Sequence, residues 1–172
     1  MKIKLLFIFL ALIVFSSCKK DKEPSEIKKT WSGFLEVVEQ KDKNGFRNFA
    51  GDTIRCYLCL ENTEHEQKVL DFLRENDSAW YDKIYDEKIF IPINKFIEED
   101  FDLFSDEKFV EILKNGETVF SKRELDEDDP SAYEVLVTTT EPNIFGHEGG
   151  QHTFQFRKIN DSYRLTEIST VP

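Results

Sequence analysis

QHTFQFRKINDSYRLTEIST, residues 151–170, alternates in a way only paired strands explain. His152, Phe154 and Phe156 fall on one side of an extended chain, with Thr153, Gln155 and Arg157 on the other. Tyr163 and Leu165 repeat the period after Asn160-Asp161, a dipeptide suited to a tight hairpin turn. Ile168 is out of step with them, which predicts a bulge. Just upstream, Tyr133, Val135 and Val137 alternate with Glu134, Leu136 and Thr138 and add another strand to the same meander.

Before these strands the period is helical. Ile27, Trp31, Phe34, Leu35 and Val38 predict an amphipathic helix over 25–42, in which Gly33 costs up to about 1 kcal/mol. Residues 43–52 read as a break with one short turn, and 53–60 as a strand. Val69, Leu70, Phe72 and Leu73 predict a helix over 64–75, and Trp80, Tyr81, Ile84 and Tyr85 begin another. Lys88 to Ile93 is extended in character, and Asn94 is placed to cap a helix carrying Phe96, Ile97 and Phe101. In the helix expected over 105–115, Ser105 caps the start, Lys114 suits the negative end, and Gly116 closes it through a positive φ. Arg123 to Ser131 is acidic and reads as an exposed loop.

Helices first and an antiparallel meander last is an α+β order. It resembles the cystatin-like, nuclear transport factor 2-like cone, in which N-terminal helices pack on a C-terminal curved antiparallel sheet. The resemblance covers about residues 25–170 and rests on the opening helix and the 151–170 strand pair. Members include isomerases, hydratases and binding modules, so fold alone does not deliver function.

The first 18 residues carry a separate message. Lys2 and Lys4 precede Leu5 to Phe15, an unbroken apolar run too short to span a bilayer and of the length of an export signal. The run ends in Phe15-Ser16-Ser17-Cys18, which resembles the lipobox of bacterial lipoproteins. The resemblance implies cleavage after residue 17 and a lipid on Cys18. Phe15 departs from the usual Leu, Val or Ile at its place. Several acyl chains on one cysteine would hold a protein to the membrane far more firmly than one. The expected organisation is therefore a signal peptide over 1–17, a lipidated tether over 18–24 and a single α+β domain over 25–172. Lys19 stands where retained inner-membrane lipoproteins often carry Asp, so the implied address is the cell envelope at the outer membrane, with the leaflet open.

The formal charge of the whole chain is −11, and losing Lys2 and Lys4 with the first 17 residues takes it to −13. So acidic a chain is a poor partner for nucleic acid and keeps a hydrated surface clear of an anionic bilayer. Sixteen Phe supply the apolar mass of a packed core, which argues against disorder.

Three groups invite a chemical reading. For Cys56 and Cys59, three readings stay open: a local disulfide, packed free thiols, and redox or metal use. An exported context favours oxidation. Residues three apart on a strand point to opposite faces, so a disulfide there requires a bend or helical turn. His147-Glu148-Gly149-Gly150-Gln151-His152 spaces its histidines five apart across a Gly pair, where a zinc helix needs four, and reads as a turn before a strand. The acidic runs Glu98-Glu99-Asp100-Asp102 and Glu124-Asp126-Glu127-Asp128-Asp129 lack the calcium-loop pattern and read as solvated surface. No catalytic residue, metal or cofactor is assigned. The expected role is a non-catalytic domain that binds a small ligand or an envelope protein. The alternative implied by the resemblance is an enzyme of the polyketide cyclase and ketosteroid isomerase type with a carboxylate–tyrosine pocket. A mainly structural role comes third.

Overall fold

The computed structural model describes residues 23–123, 132–140 and 150–171. The opening helix, α1 (Glu23–Glu39), buries Ile27, Trp31, Phe34 and Val38, four residues at helical spacing, and leaves Lys28, Lys29, Glu36 and Glu39 exposed. Gly33 has a packing reason: a Cβ there would come within 2.9 Å of the Phe49 ring. A short helix α2 (Lys43–Phe46), capped by Asp42, carries Phe46 into the core.

Among the described residues the sheet has six strands in the order β2-β1-β6-β5-β4-β3. They are β1 (Ala50–Cys56), β2 (Phe90–Pro92), β3 (Thr118–Lys122), β4 (Tyr133–Thr140), β5 (Gly150–Ile159) and β6 (Ser162–Val171). The C-terminal strands β3 to β6 form the antiparallel meander. The sheet as a whole is mixed, because β1 lies parallel to β6 and pairs antiparallel with β2 at the edge. Strand β3 was not foreseen in the sequence. It is a five-residue edge strand whose Val119 faces solvent, so it lacks a strong alternating signal.

Asn160 and Asp161 take φ of 49° and 62°, the left-handed pair that a two-residue hairpin turn requires. Gln155 stands opposite Glu167 and Phe156 opposite Leu165, leaving Thr166 as the extra residue of a bulge. That one-residue offset turns Ile168 back to the inner face, where it is buried.

Helix α7 (Glu107–Asn115) departs from expectation at both ends. Its cap is Asp106, whose Oδ1 accepts from the Lys108 and Phe109 N–H groups at 3.0 and 3.2 Å, while Ser105 closes the preceding turn on Phe101 O. Gly116 has φ −66° and ψ 150°, so it is not left-handed. Glycine is needed there for space, since a Cβ would lie 2.4 Å from Thr138 O and 2.9 Å from Ile112 O. Likewise Asn94 does not cap its helix. Pro92 precedes α5 (Ile93–Lys95), and the Asn94 side-chain oxygen accepts from Arg47.

Between the helices and the sheet, aromatic rings fill the interior. Phe34 contacts Trp31, Phe46, Phe154 and Phe156 at centroid distances of 5.2–5.9 Å. Phe46 continues to Phe96 at 5.5 Å and Phe101 at 5.1 Å, and Phe96 to Phe104 at 5.5 Å. Burying each such ring is worth about 1.5–3 kcal/mol, and each well-placed ring pair adds about 0.5–1.5 kcal/mol. Val135, Val137, Leu165, Ile168 and Ile54 complete this core from the sheet. The opposite face of the sheet is polar. Arg55 meets Glu167 at 2.7 Å, and Arg123 reaches Glu134 at 3.5 Å and Glu167 at 3.7 Å.

Candidate functional site

The middle of the chain, residues 56–100, packs as irregular turns and short helices, and it forms the candidate site. Strand β1 ends at Cys56 and passes into a 3-10 turn, Leu58–Leu60, which supplies the bend that two cysteines three apart need to meet. Cys56 and Cys59 are joined by a disulfide, both fully buried, with the Cys59 N–H donating to Cys56 Sγ at 3.2 Å.

Helix α3 (Glu64–Asn76) follows. Thr63 and Glu66 close its start reciprocally: the Thr63 hydroxyl accepts from the Glu66 N–H, and the Glu66 carboxylate accepts from the Thr63 N–H at 3.0 Å. After α4 (Trp80–Asp82) comes a π-helical turn, Lys83–Lys88, and a second one, Phe96–Asp100, links α5 to α6 (Phe101–Phe104). Wide turns of this kind are rare and gather at functional sites.

These elements enclose a cleft of about 340 Å³. Leu60, Val69 and Leu70 give it an apolar floor, and His65, Glu66, Lys88 and Lys95 supply polar groups. Lys88 has no carboxylate partner among the described residues, whereas Lys95 lies 3.5 Å from Glu99. In a chain of net charge −11, two ammonium groups beside an imidazole suit an anionic group on a partly apolar ligand.

Next to this cleft sits Asp100, only 1% exposed. The solvated reading of the 98–102 run therefore fails at this residue. It lies on the same helix face as the buried Phe96, Ile97 and Phe104, while Asp102 stays out and pairs with Lys43 at 3.4 Å. Asn62 Nδ2 donates to Asp100 Oδ1 at 3.4 Å, and Oδ2 has no partner. Burial pushes the carboxyl up to about 6, with Glu66 and Glu99 acting in the same direction and Asn62 and Lys95 opposing.

A group whose folded pKa is raised binds its proton more tightly in the native state, so its ionisation penalises folding. The penalty is complete above about pH 6 and fades as the pH falls toward 3.8. Asp100→Asn is therefore expected to raise the unfolding free energy by about 1–3 kcal/mol near pH 8 and by almost nothing near pH 4, measured by urea denaturation at both pH values.

A second recess of about 290 Å³ lies beside α7, lined by Glu39, Ser105, Glu107, Val110, Glu111 and Lys114. Lys114 and Glu39 are ion-paired at 2.6 Å within it. Among the described residues, none of those lining it has a buried side-chain oxygen or nitrogen without a partner, as Asp100 Oδ2 is.

His152 lies in β5 on the inner face. Its Nδ1 shares a hydrogen bond of 2.9 Å with Thr139 Oγ1, its ring meets Phe109 edge-on at 4.9 Å, and burial lowers its pKa. Gly150, Gln151 and His152 open β5 as a strand, and the rest of the 147–152 motif lies outside the described residues, as do Cys18 and the 124–129 acidic run. No group of three or more His, Cys, Asp or Glu among the described residues is arranged to hold a metal, and no described helix is long and apolar enough to cross a membrane.

An isomerase-type pocket would set a carboxylate against a tyrosine hydroxyl across an apolar cavity. Here the hydrogen bond to Asp100 comes from Asn62, and no tyrosine hydroxyl bonds it among the described residues. Tyr57, the tyrosine of the disulfide turn, donates instead to Glu61 at 3.0 Å and accepts from Arg74 at 2.7 Å. Burial and the Glu61 carboxylate raise its hydroxyl to about 12. Sequence reasoning missed Asp100 and the cleft. Helical spacing from Phe96, Ile97 and Phe104 was the signal that could have placed Asp100 on the inner face, whereas its contact with Asn62 has no signal in the linear chain.

No protein-family model matches the chain, and no curated protein matches it. Among solved structures it is similar to an NTF-2-like protein of unknown function from Shewanella oneidensis MR-1, with 12% identity, 86% of this chain and 97% of that chain covered, and a TM-score of 0.41. It is also similar to a candidate dehydratase of the NTF2-like family from Streptomyces avermitilis, with 11% identity, 88% and 97% covered, and a TM-score of 0.38.

Proposed function

We propose that the chain is a lipid-anchored binding domain of a bacterial envelope, built as a nuclear transport factor 2-like cone. It takes a small anionic ligand in the cleft between α3 and the π turns. Cys18, behind its apolar run and Ser16-Ser17, carries the lipid and holds the domain at the outer membrane. In that oxidising setting the Cys56–Cys59 bond persists.

One contrast supports this most. The space under the sheet, where a cone of this kind would hold a substrate, is filled by Phe34, Phe46, Phe96, Phe154 and Phe156, all fully buried. The polar groups that surround open space lie instead on the helical side, where His65, Glu66, Lys88 and Lys95 line the cleft. A ligand that places an anion near the lysines and an apolar body on Leu60, Val69 and Leu70 fits that lining.

The test is native mass spectrometry of the full chain, expressed in its bacterial host and released from the membrane with detergent. The expected protein mass lacks the first 17 residues and carries acyl chains on Cys18. An added small-molecule mass is expected on the wild type and is lost in Val69→Trp, which fills the cleft. An intact, unmodified N-terminus would refute the anchor. Equal ligand occupancy in both proteins would refute the cleft.

A further inference from the structure

We infer that the aromatic ladder Tyr57–Tyr85–Tyr81–Trp80 is a docking face for a lysine- or arginine-rich segment of another envelope protein. The rings come from two places in the chain and meet in series. Tyr57 and Tyr85 stack at 5.5 Å with planes 6° apart, Tyr81 lies 4.5 Å from Tyr85, and Trp80 meets Tyr81 edge-on at 5.7 Å. Tyr57, Trp80 and Tyr85 are half-buried and rest one side against the core, while Tyr81 stands out at 58% exposed and presents the free face.

Its inner end is fixed in place. Arg74 donates to the Tyr57 hydroxyl, which donates to Glu61, so the stack is ordered before anything binds. Tyrosine, tryptophan and arginine together are the composition of interface hot spots.

Charge selects the partner. Asp82 and Asp86 flank Tyr81 and Tyr85, stand four apart in sequence, and have no cationic partner among the described residues. Both are exposed, and two solvent-facing carboxylates without a cation of their own attract one from a partner. A guanidinium or ammonium over the Tyr81 ring would gain the attraction of the ring face, and further basic residues of the same segment would meet the carboxylates. An acidic or neutral partner would gain neither.

The experiment titrates oligo-arginine peptide into the detergent-solubilised full chain by calorimetry, with oligo-glutamate as the comparison peptide. Oligo-arginine is expected to bind and oligo-glutamate not to bind. Tyr81→Ala, at an exposed position and shown to be folded by its own cooperative melting curve, is expected to weaken binding by about tenfold. The pair Asp82→Asn with Asp86→Asn should do the same. The pair Glu107→Gln with Glu111→Gln removes equal charge from α7 and should leave affinity within about twofold. Equal weakening by both charge pairs, or no change in Tyr81→Ala, would mean general attraction to an acidic protein and overturn the inference. Val69→Trp should leave peptide binding intact, so failure of the cleft assignment is read separately. Peptide binding lost in that variant would place the segment in the cleft, against the ladder.

Discussion

Phe34→Ala is expected to lower the unfolding free energy by about 3–5 kcal/mol, read as a shift of the urea midpoint. Phe34 is fully buried, and its ring is where the helix and the sheet meet: Trp31 stacks on it at 5.2 Å, Phe154 and Phe156 approach from β5 at 5.7 and 5.9 Å, and Phe46 closes the far side at 5.9 Å. Removing it loses the transfer energy of the ring and leaves a void, because rings held by one another collapse poorly. Phe72→Ala is the natural comparison. Phe72 is 66% exposed on α3, and its loss should change stability by no more than about 0.5 kcal/mol. Similar costs at the two positions would mean that the rings under the sheet do not form a close-packed core.

Gly116→Ala is expected to cost about 2–3 kcal/mol, although alanine is the better helix residue. A Cβ at this position would sit 2.4 Å from Thr138 O and 2.9 Å from Ile112 O, two backbone atoms that cannot swing aside. Thr138 is fixed by its own N–H donating to Glu117 O at 3.0 Å, so β4 and the end of α7 would have to separate. The two explanations of this glycine give different costs. A left-handed glycine would cost only about 1 kcal/mol on replacement. The larger loss, seen by urea denaturation, marks close packing of helix on strand.

Much of the fold was legible in the residues. Ile27, Trp31, Phe34 and Val38 announce α1, and Asn160-Asp161 with the alternation around it announces β5 and β6, including the bulge that Ile168 betrays. Local spacing sets these features, so local spacing reveals them. The parallel pairing of β1 with β6 joins residues more than a hundred positions apart and depends on how the whole chain closes. Edge strands β2 and β3 are short and half exposed, which leaves little periodic signal.

The site was less legible for a related reason. Glu98-Glu99-Asp100 looks like a solvated run, but Asp100 shares the helix face of Phe96, Ile97, Phe101 and Phe104, and that spacing, not the run of acids, sets its burial. Tyr57 joins Tyr81 and Tyr85 from the end of another strand, so the ladder has no motif in the linear chain. For the cysteine pair the residues set a condition, not an answer: a disulfide needs a bend, and the strand expected over 53–60 stops at Cys56 and gives way to a 3-10 turn.

The most direct measurement is methyl NMR on the full chain, with Leu and Val methyls labelled, as a small-molecule extract of its own cell envelope is titrated in. Shifts confined to Leu60, Val69 and Leu70 are expected, with Val135, Val137 and Leu165 under the sheet unmoved. Movement of the sheet methyls with the cleft methyls silent would put the binding site beneath the sheet and contradict a filled interior.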